Sequence, residues 1–237
     1  VGVPDTQHPR QFAEDTTTIA REVQRVVVTS PKTIQLSILG LLAEGHILLE
    51  DVPGVGKTLL GKTLAGAIAC DFKRIQFTPD LLPTDITGTT VFDMQASTFK
   101  FVPGPIFSNI VLADEINRTG PRTQSALLEA MAEHQVSIEG EVKKLPSPFM
   151  VIATQNLSES HGTFPLPDSQ KDRFMISMGM GLPDTEQEVE ILSRSQHGMP
   201  EAEPVISAER VVEMRETVKR IEVDSKIRQF IVKLAGH

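Results

Sequence analysis

The stretch Asp51 to Leu64, DVPGVGKTLLGKTL, constrains this chain more than any other. It lies between a short apolar run, His46 to Glu50, which reads as a buried strand, and Thr58 to Ala69, which read as a helix. Strand, tight glycine loop and helix form the setting of a phosphate-binding loop. Successive backbone N–H groups must converge on the phosphates without Cβ obstruction, hence Gly54 and Gly56. The helix N-terminus adds positive potential. Lys57 can reach the β- and γ-phosphates, the Thr58 hydroxyl can ligate magnesium, and Pro53, Val55 and Leu59 complete the loop around a bound nucleotide. Asp51 stands where the pattern GxxxxGK[ST] opens with glycine. A glycine-rich turn without a ligand is the competing reading, and residues further along must decide.

The pass along the chain predicts α/β organisation. Residues before about Phe12 read as a loose arm. Ile19, Val23, Val26 and Val27 then recur at helical spacing, and a second helix is expected from Lys32 to Ala43, with Ile34, Ile38, Leu41 and Leu42 on its core face. Arg74 to Phe77, Ile110 to Asp114, Met150 to Thr154 and Phe174 to Met178 read as strands, and PDLLPTDITG as turns. A helix should open at Pro121 and run to about His134. Val91 to Phe101 and Gln135 to Leu145 read as hairpins, the second turning at Glu139–Gly140. Phe99 and Phe101 are expected to be buried. Strands alternating with helices imply a mostly parallel sheet, with ligands beyond the strands' carboxyl ends. From Leu182 the character turns helical: Asp184 and Gln187 suit a capping box, Val211, Met214, Val218 and Ile221 share a helical period, and Ile227, Ile231 and Leu234 begin another helix. The expected division is a nucleotide-binding core over residues 1–182 and the start of a helical lid over 183–237, the chain being a fragment with an incomplete lid.

Composition narrows the function. A net charge of −8 argues against non-specific nucleic-acid binding, although a local basic patch would escape this test. A single cysteine, Cys70, allows no internal disulfide and, with no long apolar span, makes the cytoplasm the expected compartment. The His residues at 8, 46, 134, 161, 197 and 237 show no metal-ligand spacing.

The segment NIVLADEINRTG sets Asp114 and Glu115 at the end of a buried strand. In a parallel sheet this end opens on the same edge as the glycine loop. Asp114 would hold magnesium through water, and Glu115 would polarise the attacking water. Asn156, at the end of the IATQN strand, can orient that water or touch the γ-phosphate; capping a turn is its alternative role. Arg173 in KDRF is either a surface ion-pairing residue or an arginine finger that neutralises charge on the transferring phosphoryl group.

In this order and spacing, DVPGVGKT, PDLLPTDITG, FSNIVLADEINRTGPRTQSALLEAM, ATQN and GTFPLPDSQKDRF resemble the MoxR family of AAA+ ATPases, over roughly Phe12 to Leu192. The resemblance implies an ASCE P-loop fold, a parallel sheet flanked by helices, with a partial C-terminal helical lid. It implies Lys57 and Thr58 as Walker A, Asp114 and Glu115 as Walker B, Asn156 as sensor 1 and Arg173 as the finger. Ring-shaped homo-oligomers, often hexamers, chaperone-like remodelling of protein clients and partners with a von Willebrand A domain also follow from it. The sequence departs from the family at Thr29 and Ser30, where Gly-Gln usually stands near the adenine, and at His161, where an acidic residue is common. The family's second sensor arginine is expected beyond His237.

Mg-dependent ATP hydrolysis coupled to protein remodelling is therefore the expected function. A motor acting on nucleic acid or in metal chelation, and a nucleotide-gated scaffold with little hydrolysis, are the alternatives. Lys143 and Lys144, offset by Glu139 and Glu141, are the only basic pair in the hairpins, which disfavours nucleic acid; Glu115 disfavours the scaffold.

Overall fold

The computed structural model describes residues 7–156 and 162–236. Two helices, α1 (Gln7–Val26) and α2 (Pro31–Leu42), precede the strand β1 (Ile47–Glu50), and α3 (Lys57–Ala67) follows the glycine loop. Next come β2 (Phe72–Gln76), the one-turn helix α4 (Pro83–Thr87), an antiparallel hairpin of β3 (Gly88–Asp93) and β4 (Thr98–Pro103), and β5 (Ile110–Asp114). A 3₁₀ turn at Ile116–Arg118 leads into α5 (Pro121–Glu133), a second hairpin of β6 (Gln135–Ile138) and β7 (Glu141–Lys144), and β8 (Met150–Gln155). The order closes with α6 (Asp168–Lys171), β9 (Ile176–Met178), α7 (Thr185–His197), α8 (Ala208–Lys219) and α9 (Ser225–Ala235).

Five strands form one parallel sheet in the order β2-β5-β8-β1-β9. Its central strands are apolar on both faces until their carboxyl ends, where Glu50, Asp114, Thr154 and Gln155 stand, because helices cover both faces. Ile47, Leu49, Ile110, Leu112, Met150 and Ile152 point into one buried cluster with α1, α2 and α3. The alternate residues Leu48, Val111, Ala113, Val151 and Ala153 point into the other, built with α4, α5 and β6. This period-two division fixes the register, since a one-residue slip would exchange the two faces of every strand. The carboxyl ends of β1, β5 and β8 consequently open side by side on one edge.

Several expectations shift in detail. The first helix begins at Gln7 and takes in residues read as a loose arm, while PDLLPTDITG contains α4, whose start is capped by Asp85 Oδ2 accepting the Leu82 N–H at 2.8 Å. Phe99 is 76% exposed, against the expected burial, and Phe101 is half-buried against Phe107. The hairpin is a two-stranded sheet of its own, apart from the parallel sheet, and Phe99 packs edge-on against Phe92 of the paired strand. At the second hairpin Glu139 and Gly140 have φ 51° and 83°, the two left-handed residues that the expected tight turn requires. The last strand starts at Ile176, which leaves Phe174 in the preceding turn. The α8 helix ends before Ile221, which is exposed, whereas Val211 and Met214 are buried in the α1–α3 cluster. Arg215 is buried beside them and donates from Nε to the Leu41 carbonyl at 2.9 Å, placing a cation at the C-terminus of α2. The capping box of Asp184 and Gln187 is present at the start of α7. Among the described residues no helix is long and apolar enough to cross a membrane.

Buried His46 anchors the end of the sheet remote from the glycine loop. Its Nδ1 accepts the Val151 N–H at 2.9 Å, so the neutral ring keeps its proton on Nε2, which faces the Met131 carbonyl at 3.2 Å. Burial pulls its pKa from 6.5 to about 4, with smaller repulsion from His134 and Arg215 and an opposing pull from the Met131 carbonyl. In the unfolded chain the imidazole titrates near its ordinary value, so between about pH 6.5 and 4 the unfolded state binds more protons. Stability is expected to fall as pH drops through that window, by roughly 3 kcal/mol from this group alone. His46→Asn, whose Oδ1 can accept in place of Nδ1, should flatten that part of the pH dependence. Urea unfolding of both chains at intervals from pH 7.5 to 4.5 measures it, and parallel pH profiles would show that His46 is not the source.

Candidate active site

The loop after β1 takes its shape from two left-handed glycines, Gly54 at φ 86° and Gly56 at φ 93°. A Cβ on Gly54 would meet nothing within 4 Å, so backbone conformation and not crowding demands glycine there. Gly56 is the N-cap of α3 and offers no side-chain acceptor, which leaves the first N–H groups of the helix available to an anion. Lys57 folds back, Nζ donating to the Asp51 carbonyl at 2.9 Å. Burial lowers its pKa, opposed by the charges of Asp51, Asp114 and Glu115. A partly desolvated ammonium of this kind gains from an incoming phosphate.

Opposite the loop, Asp114 and Glu115 reach the same space by a backbone device. In an extended strand, neighbouring side chains point to opposite faces. Glu115 instead adopts φ 58°, ψ 49°, which ends the strand and turns the second carboxylate toward the first. Thr154 on β8 holds the bend: its Oγ donates to Asp114 Oδ1 at 2.6 Å and accepts the Glu115 N–H at 2.8 Å. On the other side β2 contributes Arg74, whose Nη2 and Nε donate to Asp114 Oδ2 at 2.6 and 3.0 Å. Gln76 Nε2 donates to Glu115 Oε2 at 2.9 Å, and Arg118 Nε lies 3.2 Å from the same oxygen. Arg74, Gln76, Arg118 and Thr154 were not singled out from the sequence. Arg74 and Gln76 share a strand face in RIQF, a signal that acquires meaning only once β2 is known to pair with β5.

Pro53, Gly54, Gly56, Lys57, Thr58 and Leu59, together with Arg74, Gln76, Asp114, Glu115 and Asn156, line a cavity of about 530 Å³ that gathers charged and polar side chains. Sequence-derived candidates from three strand ends therefore face one space. Asn156 is buried there, its carbonyl oxygen within 3.4 Å of Asn117 Nδ2. Arg173 is elsewhere: it is exposed, and its Nη1 donates to the Leu128 carbonyl at 3.1 Å. His161 lies outside the described residues. Thr58 and Asp114 offer hard oxygen donors suited to magnesium, and among the described residues no group of three or more His, Cys, Asp and Glu gathers to hold a metal alone. A magnesium ion here would take most of its shell from phosphate oxygens and water, as that ion usually does.

A second cavity, about 320 Å³ and mostly apolar, lies across the loop. Val26 to Thr29 form one side, Val55 and Leu59 the floor, and Met180 to Pro183 with Ile191 and Met199 the other side. Pro53, Gly54, Gly56 and Leu59 line both cavities, so the loop is the partition between them. Of the two residues that depart from Gly-Gln, Thr29 lines this cavity, while Ser30 caps α2, its Oγ accepting the Thr33 N–H at 3.1 Å.

The two cavities meet at the glycine loop, and comparison with known proteins gives the family. Residues 46–176 match the ATPase family associated with various cellular activities (AAA). Chaperone MoxR1 of Mycobacterium tuberculosis is 42% identical over 213 residues, 90% of this chain and 56% of that protein. The chain belongs to the MoxR family of AAA+ ATPases. Another relative, the uncharacterized protein YeaC of Bacillus subtilis, is 49% identical over 214 residues, 90% of this chain and 67% of YeaC. A crystal structure of an ATPase-assigned protein from Cytophaga hutchinsonii superposes with a TM-score of 0.87 at 40% identity, covering 94% of this chain and 68% of that one. The architecture is thus the AAA+ fold, and this MoxR-family chain spans little more than half the length of MoxR1.

Proposed function

We propose that this chain hydrolyses ATP with magnesium and that, in a ring of identical subunits, it uses the turnover to remodel a protein client. One observation carries the reading: the glycine loop separates a cavity holding Lys57, Thr58, Asp114, Glu115 and Asn156 from an apolar cavity of purine size. The base would occupy the apolar side and the triphosphate the polar side. Backbone N–H groups of residues 54–58 would bind the phosphates while Lys57 exchanges the Asp51 carbonyl for them. Thr58 directly and Asp114 through water would hold magnesium, which supplies charge neutralisation across the β- and γ-phosphates when bound. Glu115 would take a proton from water as it attacks, with Asn156 orienting that water. Arg173, which lines neither cavity, would act on a neighbour's γ-phosphate. Residues 1–182 would then be the nucleotide-binding core and 183–237 the start of the lid.

The client reading draws support from the hairpins. Val91, Phe92, Met94 and Phe99 on the first and Val142 on the second are exposed, and Lys143 is paired with Glu141. Apolar tips suit a polypeptide better than a phosphate backbone. Proteins with a von Willebrand A domain are the partner class that the family resemblance implies.

Lys57→Ala tests the site. The side chain is in the loop and outside both core clusters, so thermal stability should hold while ATP affinity drops about 10- to 100-fold, the usual worth of a charged hydrogen-bonding group. Equilibrium titration with Mg-ATP beside a thermal melt reads both, and unchanged affinity would remove the phosphate-loop assignment.

A further inference from the structure

We propose that Asp51 is a positioning residue that ties the phosphate loop to the wall of the base cavity, so that affinity for the purine depends on a carboxylate standing where such loops ordinarily open with glycine. The inference rests on the nucleotide reading above and deepens it. The Asp51 backbone is fixed from two sides, its N–H directed at the Gln155 carbonyl at 3.3 Å and its own carbonyl accepting from Lys57. Its side chain makes two further bonds. Oδ1 accepts the N–H of Val52 at 2.9 Å, and Oδ2 accepts the N–H of Gly181 at 2.8 Å, across 130 residues of sequence.

Gly181 is well placed to transmit this bond. It sits at φ 76°, between Met180, which packs into the α1–α3 cluster, and Leu182–Pro183. All four line the apolar cavity, and α7, which begins two residues after Pro183, completes the wall with Gln187, Glu188 and Ile191. The chain passes close to the carboxylate on its way there: a Cβ on Gly179 would lie 3.4 Å from Asp51 Oδ2. Glycine at position 51 would leave the Gly181 N–H without this acceptor, and the wall would keep the packing of Met180 and the bond from Arg194 Nη1 on α7 to the Arg25 carbonyl. A charge-assisted bond to a backbone donor is among the stronger single contacts available for fixing a segment. The phosphates, by contrast, are read by residues 54–58, which do not touch residues 180–183 through this bond. Through this bond Asp51 acts on the base half of the site, whereas toward the phosphate half its carboxylate contributes a charge near Lys57 and the Val52 contact at the loop's entrance.

The test separates the two halves. Mg-tripolyphosphate, which has no base, and Mg-ATP are titrated against the wild-type chain, Asp51→Ala and Asp51→Asn, with thermal melts to verify folding. Asp51→Ala should bind tripolyphosphate within about twofold of wild type and ATP about tenfold more weakly, the equivalent of one lost charge-assisted hydrogen bond. Asp51→Asn, which keeps one acceptor oxygen and the same size, should show a smaller loss confined to ATP; it also carries the comparison if the alanine variant does not fold. Equal weakening toward both ligands would place the effect of Asp51 in the loop alone, and unchanged ATP affinity in both variants would leave it no role; either result overturns the proposal. A wild-type chain that binds neither ligand would instead overturn the nucleotide reading beneath it.

Discussion

Glu115→Gln is expected to bind Mg-ATP as the wild-type chain does and to turn it over about 10²–10⁴-fold more slowly, the usual cost of removing a general base. The substitution keeps the length and shape of the side chain, and an amide oxygen can still accept the Gln76 N–H that now reaches Oε2 at 2.9 Å. Lys57, Thr58 and Asp114, the groups assigned to binding, are untouched. What disappears is the ability to take a proton from water. Affinity and steady-state phosphate release measured on one preparation separate the two effects. Turnover within a few-fold of wild type would move the base elsewhere, and a wild-type chain that binds ATP without releasing phosphate would favour a nucleotide-gated scaffold.

Arg173→Ala should produce a comparable kinetic defect by a different route. Within its own chain the Arg173 side chain makes one described hydrogen bond, to the Leu128 carbonyl, from an exposed position, so its removal should cost little stability. As a finger acting on a neighbour's γ-phosphate it would be worth roughly 10³–10⁵ in rate. Mixing with Lys57→Ala subunits distinguishes these roles. In a randomly mixed ring at equal proportions, about a quarter of the interfaces would pair an intact loop with an intact finger, because head-to-tail contacts take one part from each neighbour. Phosphate release should therefore reappear in the mixture, although each variant alone is nearly inactive. Subunit exchange verified by mass without any recovery would return Arg173 to a structural charge.

The parts of this molecule that could be read from the chain are those whose physics is local. ILLE, IVLAD and MVIAT announce themselves as strands because a parallel sheet covered on both faces tolerates apolar residues at every position. Gly54, Gly56, Lys57 and Thr58 lie within five residues, so their cooperation needs no knowledge of the fold. The cations and amides around the acidic pair were not legible, because Arg74 and Gln76 meet Asp114 and Glu115 only through the β2–β5 pairing, 40 and 39 residues away. The apolar cavity was hidden for the same reason: its walls come from the end of α1, the segment after β9 and α7, which no spacing rule connects. Phe99 misled because an aromatic residue in a strand is ordinarily covered, whereas this hairpin is a sheet of its own, apart from the parallel sheet. Ser30 appeared as a departure near the base and proves to be a helix cap.

The bend at Glu115 has a consequence for anyone who evolves this chain in the laboratory. A non-glycine residue held in the left-handed region carries about 1–2 kcal/mol of conformational cost, which glycine would not. A library screened for heat resistance alone will therefore enrich replacements at position 115 and return sturdier chains that have discarded their proposed proton acceptor. Selection has to be run on phosphate release and melting together, or the screen will harden the scaffold by erasing its chemistry.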